Sequence, residues 1–252
     1  MQLHPLAANF GAVADAYDRG RPQCPPVVVE TFTDELGLQA GAPVLDLAAG
    51  TGKWTRVLLA AGFDVVAVEP QPELRQALAA HVGTERVLEG LAEAIPLEDR
   101  SVAAVTVADA FHWFDAPRAL AEIRRVLRPG GGLAVLSVYP DWSGASWAHE
   151  LGKLIQSLRP SHPHFDGPSW RQAILDDGHW SEPRELHLHA SEGFDPQYLL
   201  DYVCSMSWVA SMSAEQRSEV LERAAAVIGN GHTPDQLGVR VNIGLTTHEH
   251  PE

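Results

Sequence analysis

Cysteine is scarce in this chain: 252 residues hold two, Cys24 and Cys204, far apart and outside any CxxC spacing. That argues against a disulfide framework and fits a reducing cytoplasm. Positive charge is scarce too. Eighteen Lys and Arg stand against 33 Asp and Glu, a net charge of −15 with His neutral. Such a surface repels polyphosphate backbones, so nucleic acid is not expected as a partner. No stretch reaches the ~18 continuous apolar residues of a membrane span, so no membrane association is expected. The opening "MQLHPLAANFGAVADAYDRGRP" lacks the basic start and apolar run of a secretory signal. Metal-ligand spacing is also missing. Among 12 histidines, "HLHA" (His187, His189) and "THEHPE" (His248, His250) alternate without supporting Cys or Asp, so no metal site is expected.

What is present is ordinary in bulk and orderly in pattern. Hydrophobic residues make up 45% and charged residues 20%. The length suits one domain carrying an insertion. "CPPVVVETFTDELG" reads as a helix, with Pro25 and Pro26 at its start and Gly37 as its stop. "APVLDLAAG" reads as a buried strand, "GKWTRVLLAAG" as a helix ending at Gly62, and "FDVVAVEP" as a second strand. "QPELRQALAAHVG" follows as a helix, "ERVLEG" as a short strand and "SVAAVTVAD" as a longer one. Asp115 is expected to cap "APRALAEIRRVL", whose apolar positions are Ala119, Leu120, Ile123, Val126 and Leu127. "RPGGG" should end that helix and "LAVLSVY" begin the next strand. This strict alternation requires a parallel sheet with helices on both faces.

The second half has another rhythm. "ASWAHELGKLIQSL" and "PSWRQAILDDG" look helical and "RELHLHA" looks like a strand. Asp195 and Pro196 are expected to open a helix through Tyr198, Leu199, Tyr202 and Val203. Ser213 and Gln216 form a capping box for "EQRSEVLERAAAVI". "GVRVNIGLTTH" reads as a last, antiparallel strand.

Chemistry concentrates in "DLAAGTGKWT", Asp46 to Thr55. A P-loop needs Gly, four residues, then Gly-Lys-Ser/Thr. Here Gly52-Lys53 is followed by Trp54, and Leu47 stands where the first glycine belongs. A dinucleotide turn needs G-x-G-x-x-G/A; Gly50 and Gly52 lead to Thr55, which is β-branched where helix–strand packing wants a small residue. Asp46 carries more information. A carboxylate repels pyrophosphate but attracts a ligand bearing an ammonium and a sulfonium. Glu69 ends the next strand 23 residues later, close to the ~20 expected of an acid that grips ribose hydroxyls. S-adenosylmethionine is a phosphate-free nucleoside with both cations.

These residues resemble class I S-adenosylmethionine-dependent methyltransferases, especially the small-molecule group called type 11. "VLDLAAGTGKWT" is similar to the first motif and "VVAVEP" to the second-strand motif. "GLAEAIPL" is similar to the stretch flanking the adenine, and "VTVADAFHWFD" and "RRVLRPGGGLAVLS" to the fourth and fifth strand regions. "FGAVADAYDRGRPQCP" resembles the lead-in of the branch containing trans-aconitate methyltransferases. The resemblance implies a Rossmann-like α/β fold: a mostly parallel seven-stranded sheet with an antiparallel last strand and a helical lid insertion. It implies one domain over 1–252, with a helical lead-in (1–40), a cofactor-binding core (41–140) and a substrate and lid half (141–252).

For the site, the resemblance implies cofactor contacts at Asp46, Ala48, Gly50, Gly52, Glu69, Pro70, Leu91, Ala92 and Asp109. Ala48 replaces the first glycine of the family's G-x-G-x-G. Leu91 stands where many relatives carry an Asp that bonds the adenine amino group, so adenine contact would rest on the backbone of Ala92 and apolar packing, and Glu93 is not given that role. The backbone carbonyl of Asp109 would meet the cofactor's ammonium. His112 is the candidate general base, or else an imidazole that positions its loop. Tyr17 and Arg21 would cap the cofactor or bind a substrate carboxylate, an anion that an Arg fork matches, or else serve structure alone. Trp142, Trp147, Trp170, Trp180 and Trp208 divide between an apolar substrate pocket and the core. The implied activity is methyl transfer to a small-molecule acceptor, with the oligomeric state open. Two alternatives are a non-catalytic binder of S-adenosylmethionine and, disfavoured by Asp46 and Thr55, an NAD-dependent oxidoreductase.

Overall fold

The computed structural model describes residues 4–191, 196–229 and 237–248. Helices α1 (Ala14–Gly20) and α2 (Pro26–Glu35) precede β1 (Pro43–Leu47). Then come α3 (Lys53–Ala60), β2 (Asp64–Val68), α4 (Pro72–Val82), β3 (Val87–Leu88), β4 (Val102–Ala108), α5 (Ala116–Val126) and β5 (Leu127–Pro140). The remainder comprises α6 (Ser146–Leu158), α7 (Pro163–Asp166), α8 (Trp170–Asp177), β6 (Arg184–Ser191), α9 (Pro196–Cys204), α10 (Ser207–Ala210), α11 (Ala214–Ile228) and β7 (Gly238–Thr247). Short 3-10 turns lie at Ala7–Val13, Thr84–Arg86 and Phe111–Trp113. No helix among the described residues is long and apolar enough to cross a membrane.

The strands form one sheet in the order β3-β2-β1-β4-β5-β7-β6. β1 pairs in parallel with β2 and β4, placing Asp46 between Ala67 and Thr106. The strand order reverses between β1 and β4, the switch point at whose carboxyl ends open α/β sheets bind ligands. β7 runs against its neighbour β5. At one end Asp141 N–H donates to the Gly238 carbonyl, and at the other His248 N–H donates to the Gly131 carbonyl. The seven-stranded, mostly parallel sheet with an antiparallel last strand is therefore present as expected.

Two compact units share the chain. The first, which we call the sheet unit, comprises Gln23–Val138, Pro163–Leu188 and Val241–Glu252. Its core shows why the buried strands are so apolar. Leu45 and Leu47 of β1 pack with Ala119, Leu120, Ile123 and Val126 of α5, while Val44, pointing the other way, is equally buried. A strand covered on both faces needs no alternation. The ring of Phe32 on α2 meets Trp54 of α3 edge-on at 6.4 Å and Phe63 at 5.9 Å.

Two local expectations need correction. Asp115 occupies the N-cap position of α5, but its side chain makes no capping hydrogen bond. Its own N–H donates instead to Glu93 Oε1 at 2.8 Å. "RPGGG" is not a linker between helix and strand. β5 begins directly at Leu127 and takes the glycines in as a bulge, since Val102 pairs with Leu127 but Ala104 already pairs with Gly132. Gly130 has φ +75°, and a Cβ on Gly131 would lie 2.9 Å from the Ala103 carbonyl. The excess residues need a conformation and a closeness that glycine alone accepts readily.

The second, helical unit comprises Met1–Pro22, Tyr139–His162 and His189–Arg240. α1 crosses α9 in backbone contact at Gly20, where a Cβ would lie 2.2 Å from the Tyr202 nitrogen. Arg19 forks onto Asp201 (2.7 and 3.2 Å), and Arg21 Nε donates to Ser205 Oγ at 3.0 Å. The capping box of Ser213 and Gln216 is fully formed at the start of α11. α9 is present from Pro196; Asp195, expected to open it, and His250 lie outside the described residues.

Candidate functional site

β1 delivers the chain into a turn whose alternate residues are left-handed: Ala48 (φ 59°), Gly50 (φ 59°) and Gly52 (φ 85°). Alternating handedness gathers backbone N–H groups to one side, as an anion-binding or ligand-cradling concavity requires. Ala49 N–H donates to the Val68 carbonyl (3.1 Å) and Gly52 N–H to the Ala49 carbonyl (3.0 Å). Ala48, the departure from the family's glycine pattern, holds a conformation that costs a Cβ-bearing residue roughly 1–2 kcal/mol. At Gly52 a Cβ would also lie 2.5 Å from Cδ1 of Leu78.

Asp46 is fully buried at the tip of β1. Its Oδ2 accepts the Thr55 hydroxyl at 2.6 Å. Its Oδ1 is buried with no partner in hydrogen-bond geometry; the Thr106 hydroxyl donates to the Leu45 carbonyl (3.2 Å) and, with the Thr55 N–H, lies near enough to favour the Asp46 anion. Burial, and then the nearby Glu69 charge, push the Asp46 carboxyl up to about 7. Glu69 is buried at the tip of β2. Its two oxygens accept Gln71 N–H and Gly50 N–H, each at 2.9 Å. Burial outweighs those bonds and raises its carboxyl to about 7. Each oxygen keeps further lone-pair capacity for a ligand hydroxyl. Behind them, Arg75 Nη1 holds the carbonyls of Glu69 (3.0 Å) and Pro70 (2.9 Å).

The other sheet-unit candidates follow neighbouring strands. Leu91 and Ala92 lie in a tight loop closed by Ala94 N–H on the Leu91 carbonyl (3.1 Å), with Ala92 buried beside Val68. Glu93 points to α5, where it accepts the Asp115 N–H. Asp109, just after β4, has φ 52°, and its N–H donates to the Leu136 carbonyl (2.9 Å). His112 sits in the 3-10 turn that follows. Its ring lies 4.5 Å from that of Trp113 and meets His164 of α7 edge-on at 4.8 Å. Tyr17 and Arg21 belong to the helical unit, where the Arg21 guanidinium lies over the Tyr17 and Tyr202 rings, 5.2 Å from each centroid.

Hydrogen bonding thus unites Gly50 with Glu69, and electrostatics ties Glu69 to Asp46, across two strand tips. Sequence reasoning missed Thr55, Arg75 and His164. Thr55 had a signal: a hydroxyl in the first turn of the helix after Asp46 can fold back to the strand tip. His164 had none, because only the fold places α7 against the turn after β4.

The residues fit a cationic, phosphate-free nucleoside. A buried carboxylate oxygen with no partner offers negative charge beside a concave turn, which suits an ammonium or sulfonium and repels a diphosphate.

Comparison with known proteins agrees. Residues 45–135 match the family profile described as "Methyltransferase domain". An uncharacterized methyltransferase of Mycobacterium tuberculosis is 38% identical over 223 residues, spanning 88% of this chain and 86% of that protein. An uncharacterized methyltransferase-like protein of Schizosaccharomyces pombe is 32% identical, spanning 89% and 88%. In fold, the chain resembles a solved structure from Anaeromyxobacter dehalogenans provisionally assigned as a type II methyltransferase (TM-score 0.66, 24% identity, 91% of this chain and 97% of that one). It also resembles a Haemonchus contortus phosphoethanolamine N-methyltransferase solved with S-adenosylhomocysteine (TM-score 0.57, 14% identity, 95% of this chain and 58% of that one).

Proposed function

The chain belongs to the class I S-adenosylmethionine-dependent methyltransferases, and from that premise we propose that it methylates a small-molecule acceptor by in-line displacement. The observation that carries the cofactor assignment is the buried Asp46 carboxylate with its unpartnered Oδ1 beside the left-handed turn. When bound, S-adenosylmethionine supplies a methyl group already activated by positively charged sulfur. The chain's own residues supply placement. Asp46 offers negative charge to the ligand's cationic portion, and Glu69, anchored by Gly50 and Gln71, has lone pairs left for ribose hydroxyls. Ala48, Gly50 and Gly52 let the backbone approach closely, and Pro70, Leu91 and Ala92 flank the adenine. The carbonyl of Asp109 would meet the ammonium.

The main remaining task is to hold a nucleophile about 3 Å from the methyl carbon in a dry setting. A carboxylate acceptor needs no base. An alcohol, phenol or activated carbon must lose a proton, and His112 is the group assigned to take it. The "FGAVADAYDRGRPQCP" lead-in supports placement in the trans-aconitate methyltransferase branch; for Tyr17 and Arg21 the structural alternative is favoured, because the Arg21 guanidinium donates to Ser205 and lies over the Tyr17 and Tyr202 rings.

Calorimetric titration with S-adenosylhomocysteine tests the cofactor assignment. Binding tighter than about 1 mM is expected, and weaker binding overturns it. Labelled methyl transfer into a fractionated metabolite extract then isolates the acceptor. With it, His112→Ala should lose turnover while holding cofactor affinity; parallel loss of both would make His112 a residue that shapes its loop.

A further inference from the structure

Two buried acids stand at adjacent strand tips, and their surroundings are unequal. Glu69 accepts two backbone N–H donors, which favour its anion. Asp46 accepts the Thr55 hydroxyl on Oδ2, is also favoured as an anion by the nearby Thr106 hydroxyl and Thr55 N–H, finds no partner in hydrogen-bond geometry on Oδ1, and is more deeply buried. The elements packed around the pair bring little positive charge. α3 contributes the neutral Thr55, and β4 the neutral Thr106. α4 contributes Arg75, which binds the carbonyls of Glu69 and Pro70 and pairs with Glu89, and whose charge favours the Glu69 anion rather than that of Asp46. No Lys, Arg or His forms an ion pair with either carboxylate among the described residues.

A second anion in so dry a place, beside Glu69, is opposed by both desolvation and like charge. Of the pair's four oxygens, Asp46 Oδ1 is the buried one that accepts no hydrogen bond, so a proton seated there disturbs no bond already made. A ligand cation reverses the balance by supplying the opposite charge the pair lacks.

We propose that cofactor binding is proton-linked: ligand-free, the Asp46–Glu69 pair holds one proton, seated on Asp46 Oδ1, and the arriving cation displaces it to solvent. The O–H bond breaks, the proton passes to buffer, and the carboxylate left behind faces the ligand's positive charge. This rests on the cofactor assignment above. Its consequence is that acidification weakens cofactor affinity.

The test is calorimetry of wild-type protein with S-adenosylhomocysteine and with S-adenosylmethionine, from pH 5.5 to 8.5, in buffers of differing ionisation enthalpy. The expected result is net proton release that grows below pH 7 and vanishes by pH 8.5, with Kd rising towards about tenfold per pH unit on the acid side. Asp46→Asn should bind more weakly and release no proton. Where that variant binds too weakly to titrate, the wild-type proton count decides alone. Measurable binding with no proton release and a flat Kd overturns the linkage while leaving the cofactor assignment intact. Undiminished release from Asp46→Asn overturns the seat of the proton. Failure of both ligands to bind at every pH overturns the cofactor assignment itself.

Discussion

Single residues in the turn after β1 divide into those whose role is set by chemistry and those whose role is set by geometry. Asp46 stood out in the sequence by charge alone, because a carboxylate at a strand tip before a glycine turn disfavours phosphate ligands, and the structure buries it at the tip of β1. Gly50 and Gly52 were legible from their spacing. The contacts of Thr55 with Asp46 and of His164 with His112 were not, since the fold alone brings these neighbours together. Ala48 is intermediate. Its departure from the glycine pattern was visible, but its left-handed φ of 59° was not. Ala48→Gly should relieve that strain, partly offset by greater freedom in the unfolded chain. The expected net gain is about 0.5–1 kcal/mol, a rise of about 2 °C in Tm by calorimetry. An unchanged or lowered Tm would show that the backbone there is not under strain.

Elements were legible where hydrophobic period and caps agreed. α5 buries the apolar positions expected of it, and α11 opens on its capping box. The start of β5 was misread because three glycines signal a turn locally, whereas the sheet uses them as a bulge against β4. The short α7 and α10 gave no periodic signal, because four residues are about one turn. The crossing of α1 on α9 was likewise hidden: no local pattern marks Gly20 as the place where two backbones touch. Gly20→Ala should cost about 2 kcal/mol, read as a lower urea midpoint, because the obstacle is backbone and cannot swing aside. Little or no change would mean that α1 lies less tightly against α9.

At the scale of the whole molecule, the acid pair makes stability depend on pH. The Asp46 carboxyl sits near 7 in the native state, against roughly 3.9 in an unfolded chain. Between those values the native state keeps a proton that the unfolded state has lost. The resulting stabilisation is full below the unfolded value and disappears as pH rises through about 7. Asp46→Asn, a neutral mimic of the protonated acid, should therefore outlast wild type at pH 8 and match it by pH 5. An advantage on the order of 2 kcal/mol at pH 8 is expected in ligand-free denaturant titrations, after allowance for a weaker bond from Thr55. Comparing one variant with wild type at each pH removes the general self-repulsion of a chain carrying −15 charges. A difference that does not vary with pH would mean that Asp46 is ionised in the native state throughout this range.

The Gly20 contact also bears on how the protein is handled. Arg19 clasps Asp201 and Arg21 clasps Ser205, one on each side of the glycine, so three consecutive residues button the leading segment to α9 and the residue that follows it. Trimming the chain past Arg21 to obtain a minimal catalytic fragment would unfasten α9 and bare the Tyr202 ring that Arg21 now covers.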